Sequence, residues 1–298
     1  MAAVIRLDSV TKMYGPTRGI ANVTLEIEQG AVFGFLGPNG AGKSTTINLL
    51  VDLIRPSSGA IKLFGLDSVK DSLKIRQRIG FLTGDMALDG HLTALEQLTY
   101  FGNLRGGVSS RRIHELASRL GLDLHRRIKQ LSRGNRQKVG LVSALMHDPE
   151  LLIFDEPTTG LDPLIQAQFN EIIMNHKKRG KTTFVSSHML SEVQEICDRV
   201  AFIREGQIID IKPMRDIVTG APKRIKVVGA DKGLKIALQK LAGVQVGSTE
   251  HTELDFTFAG DINALLELLS KHTVRDVVIQ EADLETIFMQ YYQRDRHA

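Results

Sequence analysis

The stretch Gly37-Pro38-Asn39-Gly40-Ala41-Gly42-Lys43-Ser44 limits the folds open to this chain more than any other. It fits the pattern G-x-x-x-x-G-K-[ST], and its surroundings are those the pattern requires. The apolar run from Ala31 to Leu36 reads as a buried strand before it, and Lys43 to about Leu53 reads as a helix after it. Glycines let a tight strand-to-helix loop turn its backbone N–H groups inward around phosphate oxygens. The helix N-terminus adds the positive end of its dipole. Lys43 supplies a point charge at the β- and γ-phosphates, and the Ser44 hydroxyl can ligate Mg²⁺. Gly37, Pro38, Asn39, Gly40, Ala41, Gly42, Lys43, Ser44 and Thr45 are therefore the expected nucleotide-binding residues.

The rest of the pattern up to about Asp210 alternates short β-like runs with amphipathic helical stretches. Leu151 to Phe154 and Thr182 to Ser186 read as further buried strands. Arg136 to His147 and Leu164 to Lys178 read as helices. Strands alternating with helices predict an α/β fold with a mainly parallel core sheet covered on both faces. Val4 to Asp8 and Asn22 to Glu28 look like an antiparallel edge sheet. After Lys212-Pro213 the character changes. From Lys223 the order is β-α-β-β-α-β, the ferredoxin-like α+β pattern, followed by a last helix over Leu284 to Tyr292. The breakers Gly220-Ala221-Pro222 place the domain boundary there, giving 1–220 and 221–298.

At the end of the apolar run Leu151 to Phe154 stand two acids, Asp155 and Glu156. The carboxyl end of a strand is where α/β sheets place ligands. Asp155 is expected to hold Mg²⁺ together with Ser44, and Glu156 to act as the general base on an attacking water. Solvated acids after a strand would be a fair reading of this pair alone, and a poor one beside a phosphate loop.

With Leu131-Ser132-Arg133-Gly134-Asn135-Arg136-Gln137 added, the sequence resembles the ABC ATPase family. The stretch is close to that family's Leu-Ser-Gly-Gly-Gln signature and precedes Asp155 at the family's usual spacing. Gly160-Leu161-Asp162 looks like the loop joining two active sites. Ser186-Ser187-His188 looks like the switch histidine at a strand end, and Tyr14-Gly15 like the aromatic residue that stacks on adenine. The resemblance covers roughly Val4 to Asp210. It implies a phosphate-loop ATPase domain with a helical signature subdomain, ATP and Mg²⁺ as bound groups, and a head-to-tail pair with a second copy. In such a pair Ser132, Gly134 and Asn135 of one chain close over the nucleotide of the other, and His188 senses the γ-phosphate. It further implies an integral membrane permease partner, a place at the cytoplasmic face of the membrane, and the exporter branch serving drugs, antibiotics, lipids or polysaccharides. That branch often carries a basic residue at the position of Arg133 and an acidic-hydrophobic tail like Asp283-Leu284-Glu285-Thr286-Ile287-Phe288.

Two places depart from the family pattern. The loop after Ile79 to Leu82 reads Thr83-Gly84-Asp85, where the family has a glutamine that contacts Mg²⁺; Asp85 is either a substitute oxygen ligand or a solvated loop residue. Arg133 and Asn135 stand where many members have glycine and glutamine.

The alternative is an ABC ATPase that acts on ribosomes or nucleic acid without a permease. One phosphate loop and one signature argue against the two-cassette ribosomal type. Too few residues separate Lys43 from Ser132 for the coiled coil of the DNA-repair type. A kinase or GTPase would lack the signature, and no Asn-Lys-x-Asp motif is present. Composition agrees with a protein that docks to a membrane component. Of 298 residues, 42% are hydrophobic and 24% charged, and no apolar run approaches a membrane span. Met1 to Val10 lack the features of a signal peptide. The net charge of +4 is that of a mildly basic solvated surface, and no nucleic-acid partner is expected. The single cysteine, Cys197, is read as a buried small hydrophobe in a reducing compartment. His251, His272 and His297 are scattered, so the C-terminal domain is assigned no chemistry, only stabilisation or regulation of the ATPase pair.

Overall fold

A computed structural model describes residues 3–84, 86–219, 222–250 and 253–280. The chain divides into two compact units, the first ending at Met214 and the second beginning at Arg215. That division falls ahead of the breakers at Gly220-Ala221-Pro222.

The first unit opens with strands β1 (Ala3–Tyr14) and β2 (Thr17–Glu28), paired antiparallel, and β3 (Val32–Leu36), which runs into the phosphate loop. Helix α1 (Lys43–Leu50) follows the loop. Strands β4 (Ser58–Leu63) and β5 (Leu66–Asp67) extend the edge sheet in the order β2-β1-β4-β5. Helix α2 (Ser72–Arg78) leads into β6 (Ile79–Leu82). Three helices come next: α3 (Ala94–Leu104), α4 (Ser110–Arg119) and α5 (Arg133–Leu145). Then β7 (Leu151–Asp155), α6 (Pro163–Lys178), β8 (Thr182–Ser187), α7 (Leu190–Gln194), β9 (Arg199–Arg204) and β10 (Gln207–Pro213) complete the unit.

The core sheet has the order β10-β9-β3-β8-β7-β6. Strands β9, β3, β8, β7 and β6 run parallel, with β10 antiparallel on the edge. Every residue of β3, β7 and β8 is buried. This is why those stretches read as continuous rather than alternating apolar runs. In β1 the buried positions Ile5 and Leu7 alternate with exposed ones, as suits a sheet with one face covered. Ile5, Leu7, Leu25, Phe33, Ile47 and Ile153 belong to one hydrophobic cluster, so both sheets and α1 share a core. Helix α1, and the loop that starts it, are thus fixed from two sides.

The helices α3, α4 and α5 pack on one another, and α5 also packs on β6. Thr93 and Glu96 begin α3 as a reciprocal capping box, with Thr93 N–H donating to Glu96 Oε2 (2.8 Å) and Glu96 N–H to Thr93 Oγ1 (3.2 Å). These bonds hold the Glu96 carboxyl below its ordinary pKa. Among the described residues, no helix is long and apolar enough to cross a membrane. Cys197 is buried, and burial pushes its thiol pKa upward, as an inert core residue requires.

The second unit begins with α8, whose residues Met214–Thr219 straddle the division. It continues with β11 (Lys223–Val228), α9 (Lys232–Lys240), β12 (Val244–Glu250), β13 (Glu253–Phe258), α10 (Ile262–Ser270) and β14 (Asp276–Gln280). The sheet order is β12-β13-β11-β14, and every pairing is antiparallel. Its core gathers Ile225, Val227, Leu234, Leu254, Phe256 and Leu265 with neighbouring apolar residues. In α10, Leu265 and Leu269 are buried, but Leu266 is 49% exposed. At 100° per residue it lies off the stripe that Leu265 and Leu269 share. His272 pairs with Asp231 (3.0 Å), and Asp231 in turn caps α9 by accepting from Leu234 N–H (2.8 Å). That is a structural use. The expected helix over Leu284 to Tyr292, the tail from Asp283, His251, His297 and Asp85 lie outside the described residues.

Candidate active site

The phosphate loop is a strand-to-helix turn whose shape depends on Gly42. This residue has φ 109°, in the left-handed region, and its amide leads directly into α1. A Cβ there would lie 2.8 Å from Ile20 Cγ2 and 3.0 Å from the Gly19 carbonyl, so only glycine fits. Gly42 O accepts from Thr46 N–H (2.9 Å), and Gly37 N–H donates to Ser187 O (3.3 Å). The loop is therefore tied both to its own helix and to the end of β8.

Lys43 is only 5% exposed. Its ammonium donates to the carbonyls of Gly37 (2.7 Å) and Pro38 (3.2 Å) and lies 3.3 Å from Glu156 Oε1. The other carboxylate oxygen of Glu156 lies 3.2 Å from His188 Nδ1. The two atoms are close but not aligned as a hydrogen bond, and Nδ1 has no hydrogen-bond partner. Asp155, buried at the end of β7, accepts from Ser186 Oγ (2.6 Å), and the same hydroxyl accepts from Glu156 N–H (3.1 Å). One serine at the end of β8 thus holds the Asp155 carboxylate and the backbone N–H of Glu156, the residue after β7. Its place beside His188 in the motif is a signal for it, but the sequence pattern does not single it out.

Ser44, Asp155 and Glu156 line a cleft of about 210 Å³. Gly84, Arg133 and Gln137 line the same cleft. Gly84 brings no side chain to this cleft, as its identity requires. Gln137, to which the motif assigns no separate role, reaches the carbonyls of Glu156 (3.3 Å) and Pro157 (3.2 Å). The hydroxyl of Ser44 and the carboxylate of Asp155 are hard oxygen donors. No group of three or more His, Cys, Asp or Glu side chains stands around one ion site among the described residues. Such a donor set suits Mg²⁺, which is held by one or two protein oxygens while phosphates and water complete its shell.

Tyr14, at the end of β1, is 47% exposed. A Cβ on Gly19 would lie 2.8 Å from its ring and 3.1 Å from Thr45 Cγ2, so ring and Thr45 flank the same narrow place. Lys12 Nζ lies 5.4 Å from the ring centroid. Tyr14 therefore presents an aromatic face beside the first turn of α1.

The signature residues form the start of α5. Ser132 caps the helix, accepting from Asn135 N–H (3.3 Å), and both Ser132 and Arg133 are exposed. Gly134 meets the Gly160 carbonyl so closely that a Cβ would be 2.4 Å from its oxygen. Asp162 caps α6 by accepting from Ile165 N–H (3.0 Å), with Pro163 in the first turn. The structure brings Lys43, Ser44, Asp155, Glu156 and His188 into one cluster, with Tyr14 and Thr45 beside the loop's helix. Ser132 is exposed, and the next residue, Arg133, lines the same cleft as Ser44, Asp155 and Glu156.

A phosphate loop opening onto two acids and a histidine at adjacent strand ends, with a separate helical segment, defines an ATP-hydrolysing cassette. The ABC transporter family model matches residues 20–159. The ATP-binding protein NatA of Bacillus subtilis (strain 168) is 43% identical over 198 residues, covering 64% of this chain and 80% of that protein. The bacitracin transport ATP-binding protein BcrA of Bacillus licheniformis is 35% identical over 243 residues, covering 80% and 79%. The linearmycin resistance ATP-binding protein LnrL of Bacillus subtilis (strain 168) is 32% identical over 302 residues, covering 96% and 97%. Among solved structures, the dimeric post-hydrolysis state of the ATP-binding cassette MJ0796 bound to ADP and Pi aligns with TM-score 0.65 at 26% identity, over 71% of this chain and 99% of that one. The chain belongs to the ABC transporter family, as an ATP-binding subunit that hydrolyses ATP.

Proposed function

We propose that this subunit works as a head-to-tail pair that powers export through a separate integral membrane permease, from the cytoplasmic face of the membrane. Support for export comes from BcrA, a bacitracin transport protein, and from LnrL, a linearmycin resistance protein similar over nearly the whole chain. Support for the pair comes from the dimeric state of MJ0796 and from the exposed position of Ser132. The observation that carries the hydrolytic reading is the carboxylate of Glu156, set between Lys43 and His188 at the mouth of the phosphate loop.

Each residue then has a role. The stretch Gly37 to Thr45 holds the phosphates through its free backbone N–H groups and the ammonium of Lys43, while Pro38, which has no N–H, and Gly37, whose N–H donates to Ser187 O, shape the loop. Tyr14 stacks on adenine. Ser44 and Asp155 would hold Mg²⁺, which neutralises phosphate charge when bound. Glu156 accepts the proton of the attacking water. His188 contacts the γ-phosphate and registers its loss. Ser132, Gly134 and Asn135 close over the nucleotide of the second copy, offering the N-terminal end of α5 to an anion. Catalysis is mainly positioning and charge stabilisation.

The test is Glu156→Gln, which keeps shape and hydrogen bonding but removes the proton acceptor. ATP binding is expected to remain and turnover to fall by at least about 10²-fold, within the range for a lost general base, with the nucleotide-bound pair accumulating. Near-native turnover would remove Glu156 from this role. The second unit is proposed to stabilise or regulate the pair. Truncation after Gly220 is then expected to retain ATP binding while weakening self-association in sedimentation; a folded but non-binding truncation would contradict this.

A further inference from the structure

We infer that Gln137 is a positioning residue for Glu156, and that it ties the exposed signature end of α5 to the base at the chain's own phosphate loop. The inference rests on the reading of Glu156 as the base. Glu156 has φ 49°, in the left-handed region that residues with a Cβ disfavour. A backbone of that kind persists where its surroundings hold it. Here it is held on both sides. Its N–H donates to Ser186 Oγ at 3.1 Å, and its carbonyl accepts from Gln137 Nε2 at 3.3 Å. Gln137 Nε2 also donates to the next carbonyl, that of Pro157, at 3.2 Å. The amide of Gln137 thus holds the two successive carbonyls on the carboxyl side of Glu156, which steadies the backbone that carries its side chain.

The two holders differ in what they belong to. Ser186 sits at the end of a fully buried strand. Gln137 sits one turn along a helix whose first residues are exposed. Between those residues and Gln137, Gly134 lies against the Gly160 carbonyl, with no room for a Cβ. The start of α5 and the loop after Glu156 are therefore in direct backbone contact, and a shift of α5 moves the carbonyls that aim the base. Engagement of Ser132 with a second copy would act on the same helix. Gln137 is the side chain that converts that engagement into the aim of Glu156.

The experiment compares ATP turnover in Gln137→Met, which keeps length but has no donor, and Gln137→Glu, which sets a carboxylate against two carbonyls. Turnover at saturating ATP is expected to fall about tenfold in the first and further in the second. The KM for ATP and the melting temperature of Gln137→Met are expected to stay near native, because the nucleotide contacts are untouched. In a Glu156→Gln background, Gln137→Met is expected to lower the residual single-turnover rate no further, since the group it aims is gone. The inference is overturned if Gln137→Met keeps turnover within twofold of native. It is also overturned if the tenfold loss persists in the Glu156→Gln background, or if KM and melting temperature worsen in step with turnover. Native turnover in Glu156→Gln alone would instead overturn the base, and the inference with it.

Discussion

The parallel strands carry charged side chains at both ends, and the two sets are wired differently. At the amino ends of β6, β7 and β8, Arg78 donates to both oxygens of Glu150 (2.8 and 2.7 Å), while Asp148 pairs with Arg179 (2.8 Å) and Lys181 (2.7 Å). His147 and His176 lie against the carbonyls of Ile79 (3.0 Å) and Pro149 (3.1 Å). At the carboxyl ends, Lys43, Glu156 and His188 form a chain in which one carboxylate serves two partners. In the first set the carboxylates of Glu150 and Asp148 are paired with arginine and lysine side chains. In the second set, Glu156 supplies the negative charge that a bound phosphate would bring to Lys43. Those contacts can be exchanged, so the carboxyl ends trade fixed stability for function.

The largest expected effect on ATP affinity tests that exchange. On the proposed reading, Lys43→Ala removes an ammonium that would touch phosphates already present in the ground state. ATP affinity is expected to fall roughly 10- to 100-fold, corresponding to the ~1.5–3 kcal/mol of a hydrogen bond to a charged group. Because the lysine's folded-state partner Glu156 is itself partly exposed, the melting temperature without nucleotide is expected to move little. Calorimetry with ATP and a thermal melt of the same variant check both halves. Unchanged affinity, or a large loss of stability, would erase the distinction between the two ends.

How much of this is legible in sequence follows the same division. The phosphate loop, β3, β7 and β8 are readable because glycine geometry and full burial leave strong local marks. Asp155 and Glu156 are readable because an apolar strand that ends in two acids, in a chain that also carries a phosphate loop, sets those acids where ligands bind. Ser186 and Gln137 are not, because their roles depend on which strand lies beside β7 and on how α5 packs over the following loop. Those are tertiary facts with no local periodicity. The paired charges at the amino ends are equally silent, since Arg78 and Glu150 meet only through the β6–β7 pairing. Leu266 illustrates the limit of reading apolar runs: a leucine in a leucine-rich helix still faces outward when its angle puts it there.

The smallest effect concerns protons at the amino ends. Burial, aided by the charge of Arg105, pushes the pKa of His147 down to about 4. Burial, aided by Arg179 and Lys181, does the same to His176, also to about 4. In the unfolded chain each imidazole takes up its proton near 6.5. Between about 6.5 and 4 the unfolded chain thus holds more protons than the folded one. The stability these groups allow is fully present above about 6.5 and is lost as the pH falls toward 4. The hydrogen bonds from Arg78 hold Glu150 below its ordinary value, so its contribution disappears only at still lower pH. The melting temperature is therefore expected to drop between pH 7.5 and pH 5, by roughly 2–4 °C for each kcal/mol lost. His176→Gln keeps an N–H donor near the Pro149 carbonyl but cannot titrate. It is expected to melt lower than native at pH 7.5 and to lose less on acidification, with ATP affinity at pH 7.5 within twofold of native. An unchanged slope with pH would remove His176 from the titration. A marked loss of ATP affinity would show that the amino ends of these strands are not independent of the site at their carboxyl ends.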